Sequence, residues 1–269
     1  MPNKLIIKEK IKSFNNKISV CGDKSISIRW VLLSSLANGK SIAKNLLMSS
    51  DVIAAINAIK KLGIRVKFKN KKCIIYGDGI DGYKYKKYIN INAENSGTLG
   101  RLILGLLINC KFPIKIIGDK SLSKRDFKRV SDPLGKFGVE FKLRKKKYLP
   151  LTIFGKQKLK PIKYYEKLGS AQCKSAVIFG AMRANGTTVI KAKKSRNHTE
   201  LLFKYLKLPI MIKKMKNFDE IRVTSVNKIK SINYNIPSDI SSSAFFIVLT
   251  ALAKNSKILI KNVNINPSR

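Results

Sequence analysis

The chain has 269 residues, 44% of them hydrophobic, which is long enough for one large or two ordinary domains with buried cores. Its formal net charge of +41 arises from 56 Lys and Arg against 15 Asp and Glu. The excess is almost all lysine, is spread along the whole sequence, and contains no basic run interleaved with aromatic residues. This distribution argues against nucleic-acid binding as the main function. It is more simply explained by an overall bias of the composition toward lysine, and the resulting positive surface would attract small anionic ligands.

Cysteine and histidine usage limits the function classes further. The four cysteines lack metal-ligand or redox spacing, and the single histidine, His198, cannot build a His-based zinc site. No apolar leader follows Met1, and the longest apolar run, residues 244–253, is too short to span a bilayer. We expect no metal, no cofactor, no membrane partner and a cytoplasmic location.

In chain order, two short strand-like runs at 5–7 and 18–20 precede the polar turn 22–29. This turn enters an apolar helix that we expect to stop at Asn38-Gly39. Asp23 or Ser25 is the expected N-cap, which places Lys24 at the positive end of the helix, with Arg29 adding charge. The pattern predicts an anion site; the alternative is an ordinary capped helix with solvated basic residues.

The same order of elements then recurs along the chain. The first pass continues with a strand at 40–45, a helix at 52–62 capped by Asp51, and paired strands at 64–68 and 72–77. The second has a helix at 99–108, a strand at 112–117, a helix at 127–137 and a strand at 139–143. The third has a helix at 173–184, a strand at 188–192, a helix at 199–206 and a strand at 210–213. The fourth has a helix at 242–253 and a strand at 257–262.

The turns after the first helix of each pass begin at Asn38, Asn109, Asn185 and Asn255, about 70–76 residues apart. This period is too long for a solenoid unit and indicates a repeated small α/β module. Residues 265–269 fall where the second helix of the fourth copy should begin. We therefore expect the chain to be a fragment or a truncated gene product.

Seven motifs occur in an order that resembles the 5-enolpyruvylshikimate-3-phosphate synthase family over nearly the whole chain. They are Gly-Asp-Lys-Ser-Ile-Ser-Ile-Arg at 22–29, Asn-Ser-Gly-Thr-Leu-Gly-Arg at 95–101, Gly-Asp-Lys-Ser-Leu-Ser-Lys-Arg at 118–125, Ser-Ala-Gln-Cys-Lys-Ser-Ala at 170–176, Ser-Arg-Asn-His-Thr-Glu at 195–200, Pro-Ser-Asp-Ile-Ser-Ser at 237–242 and Asn-Ile-Asn-Pro-Ser-Arg at 264–269.

The resemblance implies an inside-out α/β barrel of the enolpyruvyl transferase type, built from βαβαββ modules with buried helices and outer sheets. Residues 20–233 would form one complete three-module domain, and residues 1–19 with 234–269 an incomplete second domain. Roughly three-fifths of a family member is covered, and the full-length protein would be a monomer.

The implied reaction transfers the enolpyruvyl group of phosphoenolpyruvate to the 5-hydroxyl of shikimate 3-phosphate on the route to chorismate and the aromatic amino acids. Lys24 and Asp239 match catalytic positions, with Asp239 as base. Matches to shikimate-3-phosphate contacts are Lys24, Ser25, Arg29, Ser170, Ala171, Gln172, Ser195, Arg196 and Asp239. Matches to phosphoenolpyruvate contacts are Lys24, Gly97, Arg125 and Gln172.

Plainer roles stand beside these. Asp239 could be a helix cap and nothing more, and Arg101 could have a purely structural role. His198 and Glu200 could cap the helix that they begin, and Cys173 fits a core position. Further acid/base and arginine residues of the family lie past position 269, so we expect weak binding and little turnover from this chain. The rival functions are a UDP-N-acetylglucosamine enolpyruvyl transferase, which needs a reactive loop cysteine, and a non-catalytic fragment that binds anions or nucleic acid.

Overall fold

The structure is a computed structural model that describes residues 11–269. The expected strand at 5–7 lies outside the described residues. Three modules follow one another along the chain. The first contains α1 (Lys24–Ser35), β2 (Ala37–Lys44), α2 (Ser50–Lys61), β3 (Arg65–Lys69) and β4 (Lys72–Asp78). The second contains β5 (Ile89–Asn92), α3 (Gly97–Leu106), β6 (Ile114–Ile117), a short 3-10 turn (Leu122–Lys124), α4 (Lys128–Gly135), β7 (Glu140–Arg144) and β8 (Tyr148–Phe154). The third contains β9 (Lys163–Glu166), α5 (Ala171–Ala181), β10 (Thr187–Lys193), α6 (His198–Tyr205), β11 (Ile210–Lys214) and β12 (Phe218–Thr224). The remaining elements are β1 (Asn15–Ile18), β13 (Ile229–Lys230), β14 (Asn233–Asn235), α7 (Ile240–Leu252) and β15 (Lys257–Ile260).

Each module forms its own sheet of the same design. In the second and third modules a leading strand pairs in parallel with the strand after the first helix, and an antiparallel hairpin completes the sheet in the orders β5-β6-β8-β7 and β9-β10-β12-β11. The repeated module predicted from the sequence is therefore present. The sheets remain separate among residues 11–269, without closing into one hydrogen-bonded barrel.

The first sheet takes its leading strand from a distant part of the chain. β14 precedes α7 in sequence but pairs in parallel with β2, which follows α1. β1 precedes α1 but pairs in parallel with β15, which follows α7. The first module and the unit formed by α7 and β15 have thus exchanged their leading strands. The chain crosses from one unit to the other twice, near Cys21 and near Pro237. Backbone hydrogen bonds from Asp23 N to Pro237 O (2.8 Å) and from Asp239 N to Cys21 O (2.9 Å) join the two passages.

The core is formed by helices α1 to α6 together with the inward-facing residues of the strands, whereas Ser243 is the only buried residue of α7. Every residue of α1 from Ser27 to Ser35 is buried, and so is every residue of α5 from Cys173 to Ala181. A helix buried on all sides needs no amphipathic face, which accounts for the apolar runs at 30–33 of α1 and 176–181 of α5. The strands alternate instead, as β8 does, with one face on the helices and the other partly exposed.

Two local expectations were wrong. α1 ends at Ser35, and Asn38 and Gly39 already belong to β2, where they pair with the end of β4. The cap of α2 is Ser49, and Asp51 lies in the first helical turn, from which its carboxylate reaches Lys24 Nζ at 3.4 Å. Pairing with β4 explains the first difference, since the antiparallel partner extends the strand backward past the Asn-Gly turn signal.

Candidate functional site

Five helices begin at one cleft of about 940 Å³: α6, which starts at His198, has no capping side chain, and the other four have one. The N-caps of these four helices are Asp23 for α1, Ser96 for α3, Ser170 for α5 and Asp239 for α7, and each side chain accepts a hydrogen bond from a backbone N–H of its helix. The positive ends of the helix dipoles therefore meet where the cleft opens. Such convergence favours bound anions.

The cleft brings together nine of the eleven predicted site residues. They are Lys24, Ser25, Arg29, Ser170, Ala171, Gln172, Ser195, Arg196 and Asp239. These residues come from segments separated by up to about two hundred positions, so only the fold assembles them. The other two, Gly97 and Arg125, lie beside the cleft and do not line it.

Gly97 lies against the guanidinium groups of Arg101 and Arg125, next to Thr98, and we call this group of residues the arginine-lined recess. A Cβ placed on Gly97 would lie 2.9 Å from Arg101 Nη1 and 3.0 Å from Arg125 Nη1. Arg125 Nη2 donates to Asn95 Oδ1 at 2.9 Å, which fixes its guanidinium at the start of α3. The absence of a side chain on Gly97 therefore keeps both guanidinium groups accessible to an anion.

Gln172 links this recess to the cleft. Its Oε1 accepts from Arg101 Nη1 at 2.6 Å, and its Nε2 donates to Thr98 Oγ1 at 3.0 Å. Arg101 thus holds a site residue in place, in agreement with the structural role expected for it. Burial lowers the pKa of Arg101, which stays a cation at neutral pH.

Arg29 is the most deeply placed cation of the cleft, with 3% of its surface exposed. Burial is the main cause that lowers its pKa to about 10, so the guanidinium is protonated at neutral pH. Three hydrogen bonds hold it, to the Ser25 carbonyl and to the hydroxyls of Thr199 and Ser175. All three partners are neutral.

Asp239 caps α7 and also faces the cleft, so the plain role and the functional one are compatible. Its Oδ1 accepts from Ser241 N at 2.8 Å and from Arg269 Nη2 at 2.9 Å, and its Oδ2 accepts from Lys24 N at 3.1 Å. Arg269 Nη1 also donates to Asp23 Oδ2 at 2.6 Å. Arg269 therefore joins the caps of α1 and α7 and was missed by the site prediction. Its place in the last family motif was the available signal.

His198 and Glu200 do not cap α6, contrary to expectation. Glu200 is 2% exposed, and its Oε1 lies 2.6 Å from Lys174 Nζ, although the angles are not those of a hydrogen bond. His198 lines the cleft wall, and burial, followed by the nearby charge of Arg29, lowers its pKa to about 4. The imidazole is therefore neutral at physiological pH. Cys173 is buried, as predicted.

The remaining rim is basic and polar. Lys194 and Arg196 are exposed, Ser195 lies between them, and 48% of the Lys24 side chain is exposed. Among residues 11–269, no cysteine lines the cleft and no group of three or more His, Cys, Asp or Glu is placed to hold a metal ion. Within the same residues, no helix has the length and apolar character needed to cross a membrane.

Comparison with known proteins places this architecture in a family. The model of EPSP synthase (3-phosphoshikimate 1-carboxyvinyltransferase) matches residues 8–269. A 3-phosphoshikimate 1-carboxyvinyltransferase of Caldicellulosiruptor bescii is 42% identical over 96% of the chain and 59% of its own length. The protein of the same name from Bacillus subtilis is 35% identical over 97% of the chain and 60% of its own length.

Solved structures agree with this match. An EPSP synthase from Acinetobacter baumannii superposes with a TM-score of 0.87 and 33% identity over 96% of the chain and 57% of that structure. The superposition confirms the enolpyruvyl transferase fold class. The family match does not favour the alternative of a UDP-N-acetylglucosamine enolpyruvyl transferase. The chain spans about three-fifths of the length of the curated relatives that it matches. The chain belongs to the EPSP synthase family.

Proposed function

We propose that the cleft binds shikimate 3-phosphate and that the arginine-lined recess beside it binds phosphoenolpyruvate for enolpyruvyl transfer. The observation that carries the proposal is the assembly of nine separately predicted positions around one cleft. Lys24 lies at the start of α1 with its ammonium partly exposed, where a compact cation serves both anions.

The binding roles follow from donor geometry. Arg29 receives the carboxylate of shikimate 3-phosphate, because a guanidinium with neutral partners gains most from an incoming anion. The start of α5, with Ser170 and Ala171, binds the 3-phosphate together with Ser195 and Arg196 on the opposite rim. Gln172 lies between the two substrates. Gly97 and Arg125 bind phosphoenolpyruvate.

Asp239 acts as the base in the proposed reaction. The 5-hydroxyl oxygen forms a bond to C2 of phosphoenolpyruvate, its proton passes to Asp239, and C3 gains a proton from an acid. Loss of a proton from C3 then restores the double bond and expels phosphate. The three donors to the Asp239 carboxylate fix its orientation toward the cleft.

The domain division belongs to the same proposal. Residues 20–233 form the complete domain, and 1–19 with 234–269 belong to the second; the exchange of leading strands supports a double crossing near these limits. A monomeric full-length state and a cytoplasmic location accompany the proposal and rest on the family resemblance alone.

Calorimetry on the purified chain tests the proposal. Shikimate 3-phosphate should bind more tightly than shikimate, and Lys24→Met should weaken it, whereas Lys67→Met, an identical charge change on an exposed strand, should not. Equal binding of shikimate, or binding of heparin with the same salt dependence as the sugar phosphate, would point to a general polyanion site and contradict the proposal.

A further inference from the structure

Two buried hydroxyl groups stand behind Arg29 on different helices. Arg29 Nε donates to Thr199 Oγ1 of α6 at 2.7 Å, and Arg29 Nη2 donates to Ser175 Oγ of α5 at 3.1 Å. Thr199 Oγ1 also donates to Ser175 Oγ at 2.7 Å. Both hydroxyl residues have no exposed surface. The guanidinium and the two hydroxyls therefore form a closed triangle that water does not reach.

The triangle fixes the plane of the guanidinium. An arginine side chain loses much rotamer freedom when it is ordered, and bonds at both Nε and Nη2 determine the orientation of a planar group. A third bond, from Nη1 to the Ser25 carbonyl at 3.0 Å, comes from its own helix. Of the five N–H donors, two remain, one on each terminal nitrogen. Since Arg29 lines the cleft, these two are the donors available to a ligand.

The neutral character of the partners also matters. A carboxylate in place of Thr199 would satisfy the buried charge and remove the reason for Arg29 to take an anion. A hydroxyl positions the guanidinium without cancelling its charge. The buried carboxylate of α6, that of Glu200, pairs with Lys174 at 2.6 Å and acts on Arg29 only through space, where it raises the pKa of Arg29 by less than burial lowers it.

We propose that Thr199, acting with Ser175, is a positioning residue that presents Arg29 to the carboxylate of the sugar phosphate. The inference rests on the proposed function for its ligand. Thr199 does not line the cleft, and the site prediction gave it no role beyond its place in the motif at 195–200.

Binding measurements on the chain test the proposal with two ligands. Thr199→Val keeps the volume and removes the hydroxyl; it should weaken shikimate 3-phosphate about tenfold and leave its methyl ester, which lacks the carboxylate charge, unchanged. Thr199→Ser restores the hydroxyl and should bind as the parent does. Thr188→Val is the matched control. Thr188 is equally buried and accepts a backbone N–H from Ile162 at 3.2 Å, and it makes no hydrogen bond to Arg29.

A measurement without ligand separates this inference from the proposed function. Hydrogen exchange of the Arg29 Nε–H, assigned by NMR through its loss in Arg29→Lys, should be slow in the parent and in Thr199→Ser and fast in Thr199→Val. Unchanged exchange in Thr199→Val, or equal weakening of both ligands, would overturn the positioning role. Failure of the parent to prefer shikimate 3-phosphate over its ester would overturn the ligand assignment, while the exchange result would still decide whether Thr199 holds Arg29.

Discussion

Gly105 allows α3 and α5 to approach so closely that a single added methyl should separate them. A Cβ at this position would overlap the Ala176 carbonyl oxygen of α5 and lie 3.0 Å from Phe179 Cβ. The overlapped atom is backbone in the middle of a buried helix, so it cannot rotate away. Gly105→Ala gains about 1 kcal/mol of helix propensity but incurs an overpacking cost near the upper end of about 1–3 kcal/mol. We expect a net loss of about 2 kcal/mol in the free energy of unfolding.

The control is Gly135→Ala in α4, where a Cβ would meet nothing within 4 Å. There the propensity gain should stand alone, and the variant should be more stable by about 0.5 kcal/mol. Urea unfolding followed by circular dichroism measures both variants. If Gly105→Ala were as stable as the parent, or if the two variants changed in the same direction, close helix packing would not be what this glycine provides.

Three further predictions concern the polar groups around the cleft. Burial lowers the pKa of His198 from 6.5 to about 4, so protonation of the imidazole favours the unfolded chain. The free energy of unfolding should therefore be unaffected by this group above pH 6.5 and should fall by about 3 kcal/mol as the pH drops toward 4; an imidazole NMR titration of the folded chain with a midpoint near 6.5 would refute this. Glu200→Gln should cost about 3–5 kcal/mol in urea unfolding, because it leaves the Lys174 ammonium buried without a counter-charge; the double variant Lys174→Met/Glu200→Leu should lose less, and a double variant worse than the single would contradict the pairing argument. In Gly97→Ala the added Cβ would lie 2.9 Å from Arg101 Nη1 and 3.0 Å from Arg125 Nη1, the ends of two long side chains that can shift by a few tenths of an ångström. Stability should therefore change by less than about 1 kcal/mol, while calorimetry shows weaker phosphoenolpyruvate binding; an unchanged affinity would exclude the proposed anion recess.

The sequence predicted the module order because its signals are local. The alternation in 64–68, followed by a second strand-like stretch at 72–77, predicted the hairpin that the structure shows as β3 and β4. Asp23, one of the two caps predicted for the first helix, is the N-cap in the structure. These features depend on neighbours within a few residues, so pattern and propensity suffice to predict them.

What the sequence could not predict depends on long-range contacts. β14 pairs with β2 across about 190 residues, and no local pattern distinguishes that partner from the strand that precedes α1. Likewise, Glu200 at a helix start resembles a cap until the fold brings Lys174 to it. Arg269 was visible as part of a motif, but its contact with Asp23 spans 246 positions. Only the assembled structure gives these residues their roles.

The anion preference proposed for the cleft depends on which of its charges are already paired. Asp23 and Asp239 both accept from backbone N–H groups and from Arg269, and neither forms a hydrogen bond or ion pair with the deeper cation, Arg29. Arg29 is bound only by neutral oxygens and therefore gains from an incoming carboxylate. The net charge of +41 surrounds this arrangement without creating it, since exposed lysines are screened by salt within about 10 Å. We therefore expect selective binding that survives added salt to depend on Arg29 and its partners, and nonspecific attraction to weaken as ionic strength rises.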